Sequence, residues 1–153
     1  MIDKGQLRDL ITRILKDIQA HSDAAVELLM MTAAVESNLG SYLKQIKGPA
    51  LGIFQMEPAT ERDIWKNYIA YNSGMSGYAL KFKSMSASSG VDLEWNLAYQ
   101  IIMARYHYRR VPKALPDVKD VEGMAKYWKD YYNTHLGKGT VAKAVSAYRK
   151  LCI

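Results

Sequence analysis

The segment AAVELLMMTAAVE, residues 24–36, is apolar on almost every side when it is drawn as a helix. A helix of this kind has no face to offer to water, so other elements must surround it. Ser22 or Asp23 can cap its first turn, and Leu39 and Gly40 end it. The pattern predicts a helical domain built around one buried central helix.

The rest of the chain is predicted to supply helices that cover this one. Apolar residues recur at helical spacing over residues 7–18, which predicts an amphipathic first helix. Further helices are expected near residues 58–69, 78–85, 93–109, 121–132 and 140–151. Pro58 suits the first turn of one, Asp92 is the expected cap of another, and breaks are expected at Asn72, Ser73, Gly74 and Gly77. A Ser-rich stretch, SASSG, follows the helix expected at 78–85.

The segment between the central helix and Pro58 is rich in glycine. Residues 38–57 contain Gly40, Gly48, Pro49 and Gly52, and are predicted to form a loop that could include a short hairpin. The predicted fold class is therefore all-α, or α+β with a minimal hairpin.

Composition and charge limit the class of protein without naming a function. With 153 residues, 49% of them hydrophobic and 24% charged, one soluble domain over residues 1–153 is expected. The net charge of +6 favours an anionic partner, which nucleic acid, an anionic membrane and an acidic wall polymer would all satisfy. The single cysteine, Cys152, is expected to be an apolar residue without a disulfide.

The first twenty residues carry charges throughout and do not resemble a secretory signal, and no later window reaches the length of a membrane span. We therefore expect synthesis in the cytoplasm and no membrane insertion. Access to a substrate in the cell wall would then require a pore made by another protein, or delivery with a virus particle.

Glu36 is the most informative single residue, because it closes the apolar helix just before the glycine-punctuated loop. Apolar surroundings and the negative end of the helix dipole both disfavour the charged carboxylate and raise its pKa. A carboxyl group that stays protonated near neutral pH can donate its proton to a leaving glycosidic oxygen. The alternative interpretation is an ordinary solvent-exposed glutamate at a helix end.

Three stretches that begin at Glu36 resemble the signature of the lytic transglycosylases and goose-type lysozymes. They are Glu36-Ser37; then Gly48-Pro49-Ala50-Leu51-Gly52-Ile53-Phe54-Gln55-Met56 with Pro58-Ala59-Thr60; and Tyr131-Tyr132-Asn133-Thr134-His135-Leu136-Gly137-Lys138-Gly139. They follow the family's order and span roughly residues 20–150. The late motif reads Tyr-Asn-Thr where Tyr-Asn-Ala-Gly is commoner. Size and charge also fit phage-encoded wall-lytic enzymes of the endolysin type.

The resemblance implies a lysozyme-like fold and cleavage of the β-1,4 bond between N-acetylmuramic acid and N-acetylglucosamine in peptidoglycan glycan strands. It implies a monomer that needs no cofactor and no metal, with Glu36 as general acid and then base. The substrate-binding residues that it implies are Ser37, Gly52, Ile53, Gln55, Tyr132 and Asn133. Gln55 would bind the sugar, Tyr132 would hold the Glu36 carboxyl or the acetamido group of the substrate, and Asn133 would support the late loop. Hydrolysis and formation of an anhydro sugar both stay open.

A second carboxylate is an open question, because most glycosidases use two. The candidates are Glu57, Glu61 and Asp63, which could equally favour the start of the third helix through its dipole.

The histidines and tryptophans are expected to have structural roles. The histidines lack the spacing typical of a metal site, and we expect surface or capping positions for His21, His107 and His135. We expect core positions for Trp65, Trp95 and Trp128.

The run RYHYRR at residues 105–110 interleaves aromatic and basic side chains, as nucleic-acid-binding surfaces do. It is also typical of a helix end where cations favour the dipole and tyrosines pack inward. The competing functions are therefore a basic helical nucleic-acid-binding module and a catalytically inactive wall-binding or structural protein; we expect no nucleic-acid partner.

Overall fold

The computed structural model describes residues 1–85, 91–133 and 137–153. These residues form eight α-helices: α1 (Lys4–Asp17), α2 (Asp23–Ser37), α3 (Pro58–Asn67), α4 (Ser73–Phe82), α5 (Val91–Trp95), α6 (Leu97–Arg109), α7 (Val121–Trp128) and α8 (Val141–Leu151). A 3₁₀ turn, Ile69–Tyr71, follows α3, and a π-helical turn, Lys129–Asn133, continues α7. The SASSG stretch and Thr134, His135 and Leu136 of the late motif lie outside the described residues.

The all-α fold class is confirmed, since the described ranges contain no β-strand. The short hairpin that the loop 38–57 could have formed is reduced to two isolated antiparallel bridges. These bridges pair Lys44 with Leu51 and Leu51 with Met56. In the described part of the chain, none of the helices has both the length and the hydropathy that crossing a membrane requires.

The central position predicted for α2 is confirmed. Ten of its fifteen residues are buried, and it packs against α1, α6, α7 and α8. Ser22 caps its first turn, because the Ser22 hydroxyl accepts a hydrogen bond of 3.0 Å from the Ala25 amide. At the other end Asn38 adopts the left-handed conformation, with φ 54°, and its amide donates back to the last turn. The buried apolar side chains of all eight helices join in one cluster around α2.

The helix α4 begins earlier than predicted, and the breaks expected at Ser73, Gly74 and Gly77 are wrong. The side chain of Asn72 caps the helix by accepting a 3.0 Å hydrogen bond from the Met75 amide. Two glycines lower the helix propensity of this segment, but the cap and the burial of Met75 and Ala79 outweigh that cost.

Asp92 is not a helix cap, which corrects a second prediction. It lies inside α5 with its side chain buried, and its Oδ1 accepts hydrogen bonds from the Ser84 amide (2.9 Å) and from Asn96 Nδ2 (2.8 Å). Asn96 separates α5 from α6 and caps α6 by accepting from the Tyr99 amide at 3.1 Å. The single helix expected over residues 93–109 is therefore two helices.

The tryptophans do not share one environment. Trp128 is 1% exposed, Trp65 is partly buried, and Trp95 is 56% exposed, so the core position expected for Trp95 is wrong. Leu93, two residues earlier on α5, is buried, and a period of 3.6 residues places the two side chains on opposite sides of that short helix. Cys152 is buried, as expected of an apolar residue.

Candidate functional site

A groove of about 890 Å³ opens where the C-terminal end of α2 meets the loop 38–57 and the end of α7. Its volume is in the range of small-molecule binding sites in proteins. Its lining residues come from eight parts of the fold and are Val35, Glu36, Gln45, Ile46, Lys47, Ala50, Gln55, Met56, Glu57, Thr60, His107, Trp128, Tyr132, Asn133, Gly137, Lys138, Gly139 and Lys143.

Glu36 is the carboxylate at the inner wall of this groove. Its side chain is partly buried, and burial raises its pKa from 4.5 to about 7. The indole Nε1 of Trp128 donates a 3.0 Å hydrogen bond to Glu36 Oε1, which favours the ionised form and limits that rise. A pKa near 7 leaves a substantial fraction of the carboxyl protonated at neutral pH.

Tyr132 lies in the π-helical turn, with its ring against two other aromatic side chains. The ring centroids of Tyr132 and Tyr108 are 5.2 Å apart, and those of Tyr132 and His107 are 4.9 Å apart. The Tyr132 hydroxyl donates a 2.7 Å hydrogen bond to the Phe54 carbonyl oxygen rather than to Glu36. Burial and the nearby Glu36 charge raise its pKa well above 10, so the phenol stays neutral and its oxygen can only accept further hydrogen bonds.

Gln55 reaches the groove from a strained turn. Its φ is 46°, a left-handed value that few residues other than glycine adopt, and its Nε2 donates a 2.8 Å hydrogen bond to the Gly52 carbonyl oxygen. This bond leaves the amide oxygen and one N–H of Gln55 for other partners. The side chain that the resemblance assigns to sugar binding therefore lines the same groove as Glu36.

Gly52 and Ile53 lie behind the groove wall. Gly52 has φ 77°, and a Cβ there would come within 2.1 Å of the Leu93 carbonyl oxygen and 2.3 Å of Gln100 Oε1. The buried Ile53 donates its amide proton to the same Gln100 Oε1 at 2.9 Å. Neither residue lines the groove: Gly52 lets the loop 38–57 approach α5 and α6 closely, and the Ile53 amide attaches the loop to α6.

Ser37 and Asn133 hold two loops that border the groove. The buried Ser37 hydroxyl donates to the Ile53 carbonyl oxygen at 2.6 Å and accepts from the Gly40 amide at 2.9 Å. Asn133 lines the groove, and Lys129 Nζ links its Oδ1 (2.7 Å) to the Gly137 carbonyl oxygen (3.0 Å). Lys129 thus bridges the two sides of the late loop.

The three further carboxylates lie in three different environments. Glu57 is exposed and lines the groove, without capping α3 through its side chain. Glu61 is buried away from the groove and accepts a 2.5 Å hydrogen bond from the Tyr99 hydroxyl. Asp63 pairs with Arg110 at 2.7 Å on the surface, and this pair lowers its pKa. Glu57 is the one of these three that shares the groove with Glu36.

No protein-family model, curated protein or solved structure matches this chain.

His107 is one of the groove residues that the sequence did not predict. We expected it at the surface or as a cap, and this is wrong, since its ring lies inside the groove, edge-on to Tyr132. The helical spacing of His107 indicates an inward position. It follows Met103 by four residues and Ala104 by three, and both are fully buried on the inward face of α6. The surface position expected for His21 agrees with its exposure beside Asp23.

The run RYHYRR forms the last turns of α6 and its C-cap, and its tyrosines are not on the surface. Tyr106 and Tyr108 are buried, which confirms the inward packing predicted for the tyrosines. Arg105 donates to the Ala20 carbonyl oxygen at 2.9 Å, and Arg110 pairs with Asp63.

The arrangement suits proton transfer in the groove. In the part of the chain that the structure describes, no three side chains among His, Cys, Asp and Glu are grouped as metal ligands would be. The groove combines one carboxyl with a pKa near neutrality, neutral aromatic side chains, and three lysines at its edge, Lys47, Lys138 and Lys143.

Proposed function

We propose that this protein cleaves the β-1,4 bond between N-acetylmuramic acid and N-acetylglucosamine in peptidoglycan, with Glu36 as general acid and base. The observation that carries the proposal is a carboxyl group with a pKa of about 7 that lines a groove of about 890 Å³. Glu36, Gln55 and Tyr132 come from the three stretches that resemble the lytic transglycosylases and goose-type lysozymes. All three side chains line this one groove, which supports the resemblance. A lysozyme-like arrangement of the helices is part of the proposal.

The proposed reaction begins with protonated Glu36. Its proton passes to the glycosidic oxygen as the bond to the anomeric carbon breaks, and the leaving sugar departs with a new hydroxyl. The resulting Glu36 carboxylate then accepts a proton from the group that attacks the anomeric carbon. If that group is water, the product is a hydrolysed sugar; if it is a hydroxyl of the same sugar, the product is an anhydro sugar and no water is added.

One carboxylate is sufficient in this scheme when the substrate supplies the second group. Glu57 is the candidate for a two-carboxylate mechanism, since it lines the groove and no hydrogen bond of its side chain ties it to the start of α3. The two schemes differ in the Glu57→Gln variant. A two-carboxylate enzyme would lose most of its activity, whereas a single-carboxylate enzyme would keep activity near that of the wild type.

The charge of the groove edge is consistent with an anionic glycan. Lys47, Lys138 and Lys143 are exposed there, and the described residues contain no ion pair that involves them. Peptidoglycan carries carboxylates, which positive charges at the edge would attract over about a Debye length.

The decisive experiment is a turbidity assay on permeabilised bacteria. The wild type is expected to clear the suspension and Glu36→Gln is not, because the amide cannot donate a proton as an acid does. Glu122→Gln makes the same change of charge at an exposed site outside this groove and serves as the matched control. Undiminished lysis by Glu36→Gln would refute the proposed role of Glu36.

Mass spectrometry of the released fragments distinguishes the two products. Muramic ends that carry added water indicate a hydrolase, and ends that are lighter by one water indicate a transglycosylase. Wall binding without any fragments would support the inactive wall-binding alternative. Tight, salt-sensitive DNA binding without lysis would support the nucleic-acid-binding alternative, which the net charge of +6 favours and the buried Tyr106 and Tyr108 do not.

A further inference from the structure

A chain of two hydrogen bonds runs from the surface to His107. Asp63 Oδ2 accepts from Arg110 Nη1 at 2.7 Å, and Arg110 Nη2 lies 2.9 Å from His107 Nδ1. A guanidinium group has donors and no acceptor, so His107 Nδ1 must be the acceptor in the second bond. A neutral His107 therefore carries its single proton on Nε2.

Among the described residues, the Nε2–H of His107 has no hydrogen-bond partner. No hydrogen bond to this atom occurs in the described residues, and no buried side-chain nitrogen or oxygen of these residues is without a partner. Because an enclosed Nε2 would break that rule, the atom must be accessible, and the opening next to His107 is the groove. A donor with a defined direction thus faces the groove.

The His107 ring is neutral at pH values near 7, at which the groove would bind its substrate. Burial, and to a smaller degree the Arg110 charge, lower the pKa of His107 to about 4, while the more distant Asp63 charge opposes them. The adjacent Tyr132 oxygen can only accept, because its proton is donated to Phe54. A neutral donor and a neutral acceptor therefore stand side by side, with ring centroids 4.9 Å apart.

We propose that His107 is a substrate-binding residue whose Nε2–H donates to the carbonyl oxygen of an N-acetyl group on the glycan, with Arg110 and Asp63 as the positioning residues that fix its tautomer. The inference rests on the proposed function and assigns the recognition of N-acetylated sugars to a side chain of α6. An amide group suits this pair of atoms, since it offers one acceptor and one donor.

Binding is measured in the Glu36→Gln protein, which cannot turn over its ligand, with tetra-N-acetylchitotetraose as the probe and titration calorimetry as the readout. Asparagine places its amide near the position of Nδ1 and glutamine near that of Nε2. His107→Asn is therefore expected to weaken binding about tenfold, and His107→Gln to restore most of it. His21→Asn, at an exposed histidine outside the groove lining, is the matched control and leaves binding unchanged.

A spectroscopic readout tests the tautomer directly. Long-range ¹H–¹⁵N spectra of the protein are expected to show the Nε2–H form of His107, and Arg110→Met is expected to give a mixture of both tautomers with binding weakened about threefold. The same spectra report whether each variant is folded, and Arg110→Met carries the test if His107→Asn does not fold.

Two results would overturn this inference and leave the proposed function standing. One is equal oligosaccharide binding by the Glu36→Gln parent protein and its His107→Asn variant, and the other is an Nδ1–H tautomer of His107 in that parent. Absence of oligosaccharide binding by the parent would overturn the proposed function, and this inference with it.

Discussion

The indole Nε1 of Trp128 donates to Glu36 Oε1 across 92 residues of chain, at a distance of 3.0 Å. This bond joins the last residue of α7 to the last turn of α2 and gives the carboxylate a directed donor. It opposes the effect of burial on Glu36, and burial is the larger of the two. The balance between them keeps the pKa of this carboxyl near neutrality.

Glu36 is expected to lower the stability of the fold at alkaline pH. Its pKa is 4.5 in an unfolded chain and about 7 in the folded protein, so folding is favoured most when the group is protonated. This contribution is fully present below pH 4.5 and is lost as the pH rises through 7. Glu36→Gln should therefore be more stable than the wild type at pH 8, by about 3 kcal/mol, and similar to it at pH 4.

Urea unfolding at the two pH values measures this difference. Glu122→Gln, at an exposed site, is the matched control and should change the free energy of unfolding by less than about 1 kcal/mol at either pH. An effect of Glu36→Gln that is independent of pH would show that this carboxyl has an ordinary pKa.

Trp128→Phe should raise the pKa of Glu36 further, because it removes the donor that favours the ionised form and leaves the burial. We expect an increase of roughly one pH unit, followed through the carboxyl ¹³C resonance of labelled glutamate. If the protein is a glycosidase, the alkaline fall of kcat/KM should move upward by the same amount. Trp95→Phe, at the exposed tryptophan, should change neither; a lowered pKa in Trp128→Phe would contradict the assignment.

Gly52→Ala should destabilise the fold strongly. A Cβ at φ 77° would lie 2.1 Å from a backbone carbonyl oxygen, which cannot move without shifting α5. We expect a loss of about 3 kcal/mol or more in the free energy of unfolding. At Gly77, inside α4, an added Cβ would meet no atom of the described residues within 4 Å, so Gly77→Ala should stabilise the protein by about 0.5–1 kcal/mol. Equal effects of the two variants on the urea midpoint would contradict the close approach at Gly52.

Ser37→Ala should loosen the loop 38–57. It removes a buried hydroxyl and leaves the Ile53 carbonyl and the Gly40 amide without their partner. The expected loss is about 1–3 kcal/mol in the free energy of unfolding. It should be accompanied by faster amide exchange at Gly40. Ser146→Ala, at an exposed position of α8, should stay within about 0.5 kcal/mol of the wild type. An equally small loss in Ser37→Ala would show that the Ser37 hydroxyl does not hold the loop 38–57.

Much of the helical arrangement was predictable because its signals are local. The cap at Ser22 and the apolar surface of α2 depend on residues within one helix, and both predictions were confirmed. The division at Asn96 and the cap at Asn72 were missed. Each cap depends on which nearby polar side chain turns toward the amides at the start of the helix. Asp92 instead accepts a hydrogen bond from the Ser84 amide, eight residues away, and local sequence does not indicate that partner.

Sequence by itself determined that an apolar helix ends in Glu36 and that a glycine-punctuated loop follows it, because the 3.6-residue period and the turn residues act over a few positions. Only the tertiary structure decided what surrounds that carboxyl. Trp128, His107 and Tyr132 reach the groove from distant parts of the chain, while Gly52 and Ile53 lie behind its wall. The physical reason is that hydrophobic periodicity shows which face of a helix is buried but does not identify the element that packs against that face.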